Sequence, residues 1–181
     1  MGTRRTVIVV ICREIPGPDH EPTLDMLPKS ILVPTDLSDG ATQALDYACE
    51  LAKTLGATVH LVNVIGVPSL GVPELGLALT STVIDQILLD NQTAIDKIAD
   101  SRRGAGITIG QVLLKTGDAK DVINQTAIEI GADLIVMSTH GRSGISRALL
   151  GSVTETVVRS APCPVLTVRI SDKEKSDRDA A

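Results

Sequence analysis

The sequence predicts a doubly wound α/β fold: a five-stranded parallel sheet with helices on both faces. Three observations carry this. The first is a set of near-continuous apolar runs, Ile31-Leu32-Val33, Leu134-Ile135-Val136-Met137 and Val165 to Ile170, of the kind that strands buried on both faces require. The second is helical spacing of apolar residues in the stretches between such runs. The third is the strict alternation of the two patterns, which means a parallel sheet joined by right-handed crossovers.

Taken in order, Ile31-Leu32-Val33 forms the first strand and ends at Pro34. Ala41, Leu45, Ala48, Leu51, Ala52 and Leu55 then keep helical spacing, and Gly56 suits the residue that closes the helix. Thr58 to Ile65 is rich in β-branched residues and reads as a strand. Gly66 to Leu79, with Pro68, Gly71, Pro73 and Gly76, is a long loop. From Ser81 to Arg103 the apolar positions 83, 84, 87, 88, 94, 95, 98 and 99 mark one helical face. Ile107 to Lys115 is a strand; Asp118 can cap a helix running to Ile130, with Gly131 as its stop. After the strand Leu134 to Met137 comes a Gly/Ser-rich loop, then a helix from about Ser152 to Arg159. Pro162 and Pro164 break that helix before the last strand, Val165 to Ile170.

Outside this pattern, residues 1–28 form an N-terminal extension with a short β-like run, expected to lie outside the main fold of residues 29–170. Residues 171–181 pack seven charges into eleven positions and read as a solvated, disordered tail.

Composition removes several function classes. At 181 residues the chain is one domain plus tails. Seventeen basic against 22 acidic residues leave a net charge of −5, the wrong sign for a nucleic-acid footprint. With no Trp, no Phe and one Tyr, Tyr47, an aromatic ligand must be held by aliphatic walls and backbone. Cys12, Cys49 and Cys163 are widely spaced and form no CxxC pair, which suits incidental thiols in a reducing compartment. No apolar run reaches the ~18 residues of a membrane helix. Arg4-Arg5 before Val7 to Cys12 imitates a signal peptide, but the apolar stretch stops at Arg13 after about six residues, short of a signal's apolar core. The expectation is a cytoplasmic protein with no membrane and no nucleic-acid partner.

In a doubly wound sheet ligands bind beyond the C-terminal strand ends, where strand order reverses. Two loops therefore matter. The loop after the first strand reads Pro34-Thr35-Asp36-Leu37-Ser38. Ser38 suits a helix cap. Asp36 can cap as well, or can point into the crevice, where a carboxylate suits ribose hydroxyls. The loop after the fourth strand runs from Ser138 to Thr154. Gly141 lets backbone approach a ligand closely, and Gly151-Ser152 opens the last helix, whose free N–H groups form an anion site. The Ser152 and Thr154 hydroxyls can add donors.

The stretch from Leu134 to Arg169 resembles the universal stress protein family, whose nucleotide motif is G-x2-G-x9-G-[S/T]. Here Gly141 matches the second glycine, and after nine intervening residues come Gly151 and Ser152, followed by Val153-Thr154-Glu155. Pro34-Thr35-Asp36 and Leu61-Val62-Asn63-Val64 are also similar to that family. The likeness spans about Pro28 to Ile170. It implies strand order 3-2-1-4-5, adenosine near the first-strand loop and triphosphate on the glycine loop, so an ATP-binding stress-response module rather than an enzyme. It implies that Asp36, beside Pro34 and Thr35, meets the ribose and Val64 the adenine, and that Met137, Ser138, Gly141, Gly151, Ser152, Val153 and Thr154 line ribose and phosphates. Arg142 can reach phosphate or stay solvated. ATP carries roughly −4 against about +0.5 at a helix terminus, so Mg2+ or Mn2+ bridging the phosphates would relieve the imbalance.

One position departs from the motif: its first glycine is Ser138 here. A left-handed backbone at that position would cost Ser about 1–2 kcal/mol, whereas an ordinary backbone would accept it. The resemblance also implies a homodimer through the last strand, Val165 to Arg169, an apolar edge open to pairing; alternatively Val7 to Ile11 covers an edge.

Rival signals are weaker. Gly104 to Gly110 has the wrong spacing for a dinucleotide fingerprint and follows a helix rather than a strand. No G-x4-G-K-[S/T] exists, and no nucleophile elbow accompanies His140. Two alternatives remain: a nucleotide-independent dimeric interaction protein of the same fold, and a weak adenine-nucleotide hydrolase.

Overall fold

The computed structural model describes residues 7–11, 27–66, 81–139 and 151–169. In chain order the elements are β1 (Val7–Ile11), β2 (Ser30–Thr35), α1 (Asp39–Leu55), β3 (Thr58–Ile65), α2 (Ser81–Gly104), β4 (Ile109–Thr116), α3 (Ala119–Glu129), β5 (Leu134–Ser138), α4 (Ser152–Ser160) and β6 (Val165–Arg169). They form one sheet in the order β1-β6-β5-β2-β3-β4. Counted from β2, the five strands pair in parallel in the order 3-2-1-4-5, as the resemblance implies.

The sixth strand is a correction. The N-terminal extension was expected outside the main fold and the last strand as an open edge, with Val7 to Ile11 covering an edge as the alternative; the structure takes the alternative, and Val7–Ile11 joins the sheet antiparallel to β6. The physical reason lies in both partners: without this run β6 would be an apolar edge strand, and the run is β-branched and short.

Alternation along the strands separates two cores. Ile31, Val33, Leu61 and Val136 face α1 and α2, where Ala44, Ala48 and Ala52 keep α1 close to the sheet and Ile95 and Ala99 anchor α2. Leu32, Val62, Ile135 and Met137 face the other way, against Ile123 and Ala127 of α3 and Val157 of α4. The long helix is anchored by its second half: Ile87, expected on the packed face, is exposed.

Local signals end the elements much where the residues suggest. Ser38 caps α1 and Gly56, at φ 67°, closes it. Asp118 caps α3, and Gly131 follows it at φ 61°. The last strand pairing of β3 with β4 shifts register between Val59 and Leu61. There the His60 ring accepts the Gln111 N–H on Nδ1 at 3.1 Å, and a Cβ on Gly110 would lie 2.6 Å from His60 Cε1. Gly110 thus serves a sheet irregularity, not a pyrophosphate.

Two ladders locate the crevice. β2 pairs with β3 along its whole length, from Ser30 to Thr35. Against β5 it pairs only at Ile31 and Leu32. Beyond Leu32 the two strands part, and Pro34, which lacks an N–H, sits where no ladder bond to β5 is required. Strand order reverses at this gap.

Candidate functional site

The gap between β2 and β5 opens into a cavity of about 210 Å³. Pro34, Thr35, Asp36, Val64, Met137, Ser138, Gly151, Ser152, Val153 and Thr154 line it, joined by Ala41, Val62, Ala119 and Ile123. The first ten are the predicted site residues that the structure describes; Gly141 and Arg142, with His140, lie outside the described residues. Ala119 and Ile123 were not singled out, because they belong to the start of α3, an element without a motif. Only the sheet order brings them in: β3 and β2 lie between β4 and β5, so α3, which joins β4 to β5, must cross them. On that side the wall is aliphatic: Val62, Val64, Ala119 and Ile123.

The β2–α1 loop is a chain of hydrogen bonds. The Leu37 N–H donates to Thr35 Oγ1 at 3.1 Å. The Ser38 N–H and hydroxyl both donate to Asp36 Oδ1, at 3.0 and 2.5 Å. Ser38 Oγ in turn accepts the Ala41 N–H at 3.2 Å. Asp36 is therefore both turn-forming and cavity-lining. Leu37 sits at φ 65°, the one non-glycine residue with positive φ among those described. Such a backbone costs about 1–2 kcal/mol, and the surrounding bonds over-determine it. Behind the loop, buried Asn63 donates from Nδ2 to the Thr35 carbonyl at 2.7 Å. Its side chain shares the face of Leu61, away from the cavity, so it clamps the loop from the sheet's other side.

The opposite wall is the start of α4. Gly151 is its N-cap and supplies no side-chain cap. The Gly151 N–H itself donates to the Thr139 carbonyl at 2.8 Å. The Thr154 hydroxyl donates to the Ser138 carbonyl at 2.9 Å. These two bonds pin the helix start to the exit of β5. They also revise the role of Thr154: its single hydroxyl proton is committed to Ser138, so it is a positioning group rather than a free donor. The backbone N–H groups of Ser152, Val153 and Thr154 meet no acceptor among the described residues. This helix start, with the positive end of its dipole, lines the cavity, its first-turn amides meeting no acceptor among the described residues.

Ser138 stays in β5, paired in register with Val168, and its φ is not positive. The backbone at the motif's first-glycine position is ordinary, so Ser carries no conformational penalty there. Among the described residues no group of three or more His, Cys, Asp or Glu is placed to hold a metal ion, and no helix is long and apolar enough to cross a membrane. Burial pushes the thiols of Cys49 and Cys163 up to about 11, so both are protonated at neutral pH.

A doubly wound sheet, parted at its order reversal beside a helix start with no side-chain cap, defines an α/β protein with a crevice at its switch point. The model of the universal stress protein family matches residues 28–169, and the chain belongs to that family. Universal stress protein MJ0531 of Methanocaldococcus jannaschii is 37% identical over 148 residues, which is 81% of this chain and 85% of that protein. Among solved structures, the universal stress protein UspA from Lactobacillus plantarum is 26% identical with a TM-score of 0.66, over 79% of this chain and 97% of that one. A universal stress protein in complex with cAMP is also 26% identical, with a TM-score of 0.60, over 80% and 99% of the two chains.

Proposed function

We propose that this chain is a cytoplasmic stress-response module that binds an adenine nucleotide, ATP, in the β2–β5 crevice. The observation that carries the reading is the bare N-terminus of α4, held against the exit of β5 by Gly151 and Thr154. An anion is the natural guest of such a terminus. The aliphatic wall of Val62, Val64, Ala119 and Ile123 suits a base, and Asp36 lines the same cavity, where a carboxylate suits ribose hydroxyls. The related protein crystallised with cAMP supports the adenine class. Mg2+ or Mn2+ would enter with the nucleotide, bridging its phosphate oxygens and offsetting charge that one helix terminus cannot balance.

Binding, with hydrolysis slow at most, is the activity proposed. Asp36 is engaged by Ser38, and the Thr154 proton is committed to a carbonyl, so neither is poised as a base or nucleophile. Free Cys49 and Cys163 fit a reducing compartment.

Calorimetry of nucleotide-free protein with Mg-ATP tests the reading. Saturable binding is expected. Gly151→Val should abolish it while the fold survives, because Gly151 has φ −60° and ψ 146°, angles that valine accepts. No heat at millimolar Mg-ATP would reject the proposal in favour of a nucleotide-independent interaction protein of the same fold.

A further inference from the structure

We infer that residues 7–11 occupy, within the same molecule, the sheet edge through which this domain would otherwise pair with a second copy, so that the N-terminal extension sets the choice between monomer and dimer. The observation is the β1–β6 ladder: Val7 opposite Arg169, Ile8 opposite Val168, Val9 opposite Thr167, Val10 opposite Leu166 and Ile11 opposite Val165. The other edge of β6 is already paired with β5. β6 thus has no backbone edge left.

Without β1, the strand Val165 to Val168, buried on both faces, would close the sheet with a row of unpaired amides and carbonyls. A second copy related by a two-fold axis would meet that row with its own β6, antiparallel. β1 is antiparallel too and uses the same row, so the two occupants exclude each other.

Strand order and register favour the same chain as the source of β1. Ile11 pairs with Val165, Val165 with Ile135, and Ile135 with Leu32. Ile11 therefore ends on the row where β2 begins, three strand spacings away, roughly 14 Å. Residues 12–29 join the two points; eighteen residues can reach about 60 Å. A tether of this length holds its strand at an effective concentration on the order of millimolar, about 100-fold above a partner copy at roughly 10 μM.

The test uses the full chain. Light scattering at about 10 μM should give a monomer. Ile8→Pro with Val9→Pro removes a ladder donor whichever of the two amides faces β6, and this variant should shift to a dimer with an unchanged melting transition. Val7→Cys with Arg169→Cys places a cysteine pair at directly opposed positions, close enough to bridge. On oxidation it should link within one chain and stay monomeric, with the Arg169→Cys single variant as control. A link between two chains, a wild-type dimer, or a folded proline variant that remains a monomer would each overturn the inference. Should the proline variant fail to fold, the cross-link alone decides.

Discussion

Ser152→Pro separates the backbone amide at the start of α4 from everything else that residue does. Ser152 is the first helical residue, and Gly151 before it lies at φ −60° and ψ 146°. That is the extended backbone a residue preceding proline prefers, and the first helical position tolerates proline because its N–H makes no intrahelical bond. The Ser152 side chain is exposed, so no core contact is lost. Stability should stay within about 0.5 kcal/mol of wild type. The one group removed from the cavity, besides the hydroxyl, is an amide hydrogen that the proposed phosphate would meet. A hydrogen bond to a charged group contributes about 1.5–3 kcal/mol, so Mg-ATP affinity should fall roughly 10- to 140-fold. Ser152→Ala removes only the hydroxyl and sets the baseline. Calorimetry with Mg-ATP and with adenosine completes the assay: the loss should appear with the first and not with the second. If Ser152→Pro binds Mg-ATP as well as Ser152→Ala does, or loses adenosine to the same degree, the amide hydrogens of α4 do not hold the phosphates.

Asn63→Ala should destabilise the fold by about 2 kcal/mol in urea titrations, since it strands the Thr35 carbonyl that Asn63 now satisfies. It should also weaken nucleotide binding, because the Asp36 turn loses its clamp. Gly110→Ala would put a methyl group 2.6 Å from His60 Cε1 and 2.9 Å from Thr58 Cγ2; a cost of about 1–3 kcal/mol is expected, and His60→Ala in the same chain should return part of it in a double-mutant cycle. Burial holds the His60 imidazole below its ordinary 6.5. The unfolded chain therefore takes up a proton near pH 6.5 that the folded one refuses, so this part of the stability is intact above pH 6.5 and is lost as pH falls below it. His60→Gln should flatten that acid limb in thermal melts taken from pH 7.5 to 5.

Much of the fold was legible because α1 and α3 carry their own punctuation. Ser38 and Asp118 cap, and Gly56 and Gly131 follow with positive φ, where the local chemistry asks for them. The parallel sheet could be read from strands that are apolar on both faces. What escaped was whatever depends on partners distant in sequence. The Val7–Ile11 run has the look of a strand, but whether it lies outside the fold or covers an edge, the two readings the sequence left open, is decided by β6, some 155 residues later. Ile87 fits the helical spacing of α2 and yet is exposed, since periodicity does not say how far along a helix the sheet extends. At the site, Asp36 and the Gly151-Ser152 helix start could be picked out from loop position and glycine. Asn63 and Ile123 could not: one acts through the back of a loop, and the other enters from a helix whose place depends on strand order. Thr154 was picked out for its hydroxyl, but the hydroxyl serves the helix rather than the guest.

The substitution of serine for the motif's first glycine turns on the same interaction. That position needs an extended backbone that continues β5 beside Val168 and a carbonyl turned to receive the Thr154 hydroxyl. Neither demand calls for glycine, and serine meets both without leaving the ordinary region of backbone space. Conformational strain at this site lies instead across the crevice, at Leu37, where Asp36, Ser38 and Thr35 hold the turn. The two walls are thus built differently. The helix wall is fixed by two bonds to β5 and stores no strain among its described residues, whereas the Asp36 wall is a strained turn kept in place by its own side chains and by Asn63. A perturbation of the helix wall should register as lost phosphate affinity at constant stability, and one of the Asp36 wall as lost stability first. Ser152→Pro and Asn63→Ala, measured side by side, distinguish these two behaviours in one molecule.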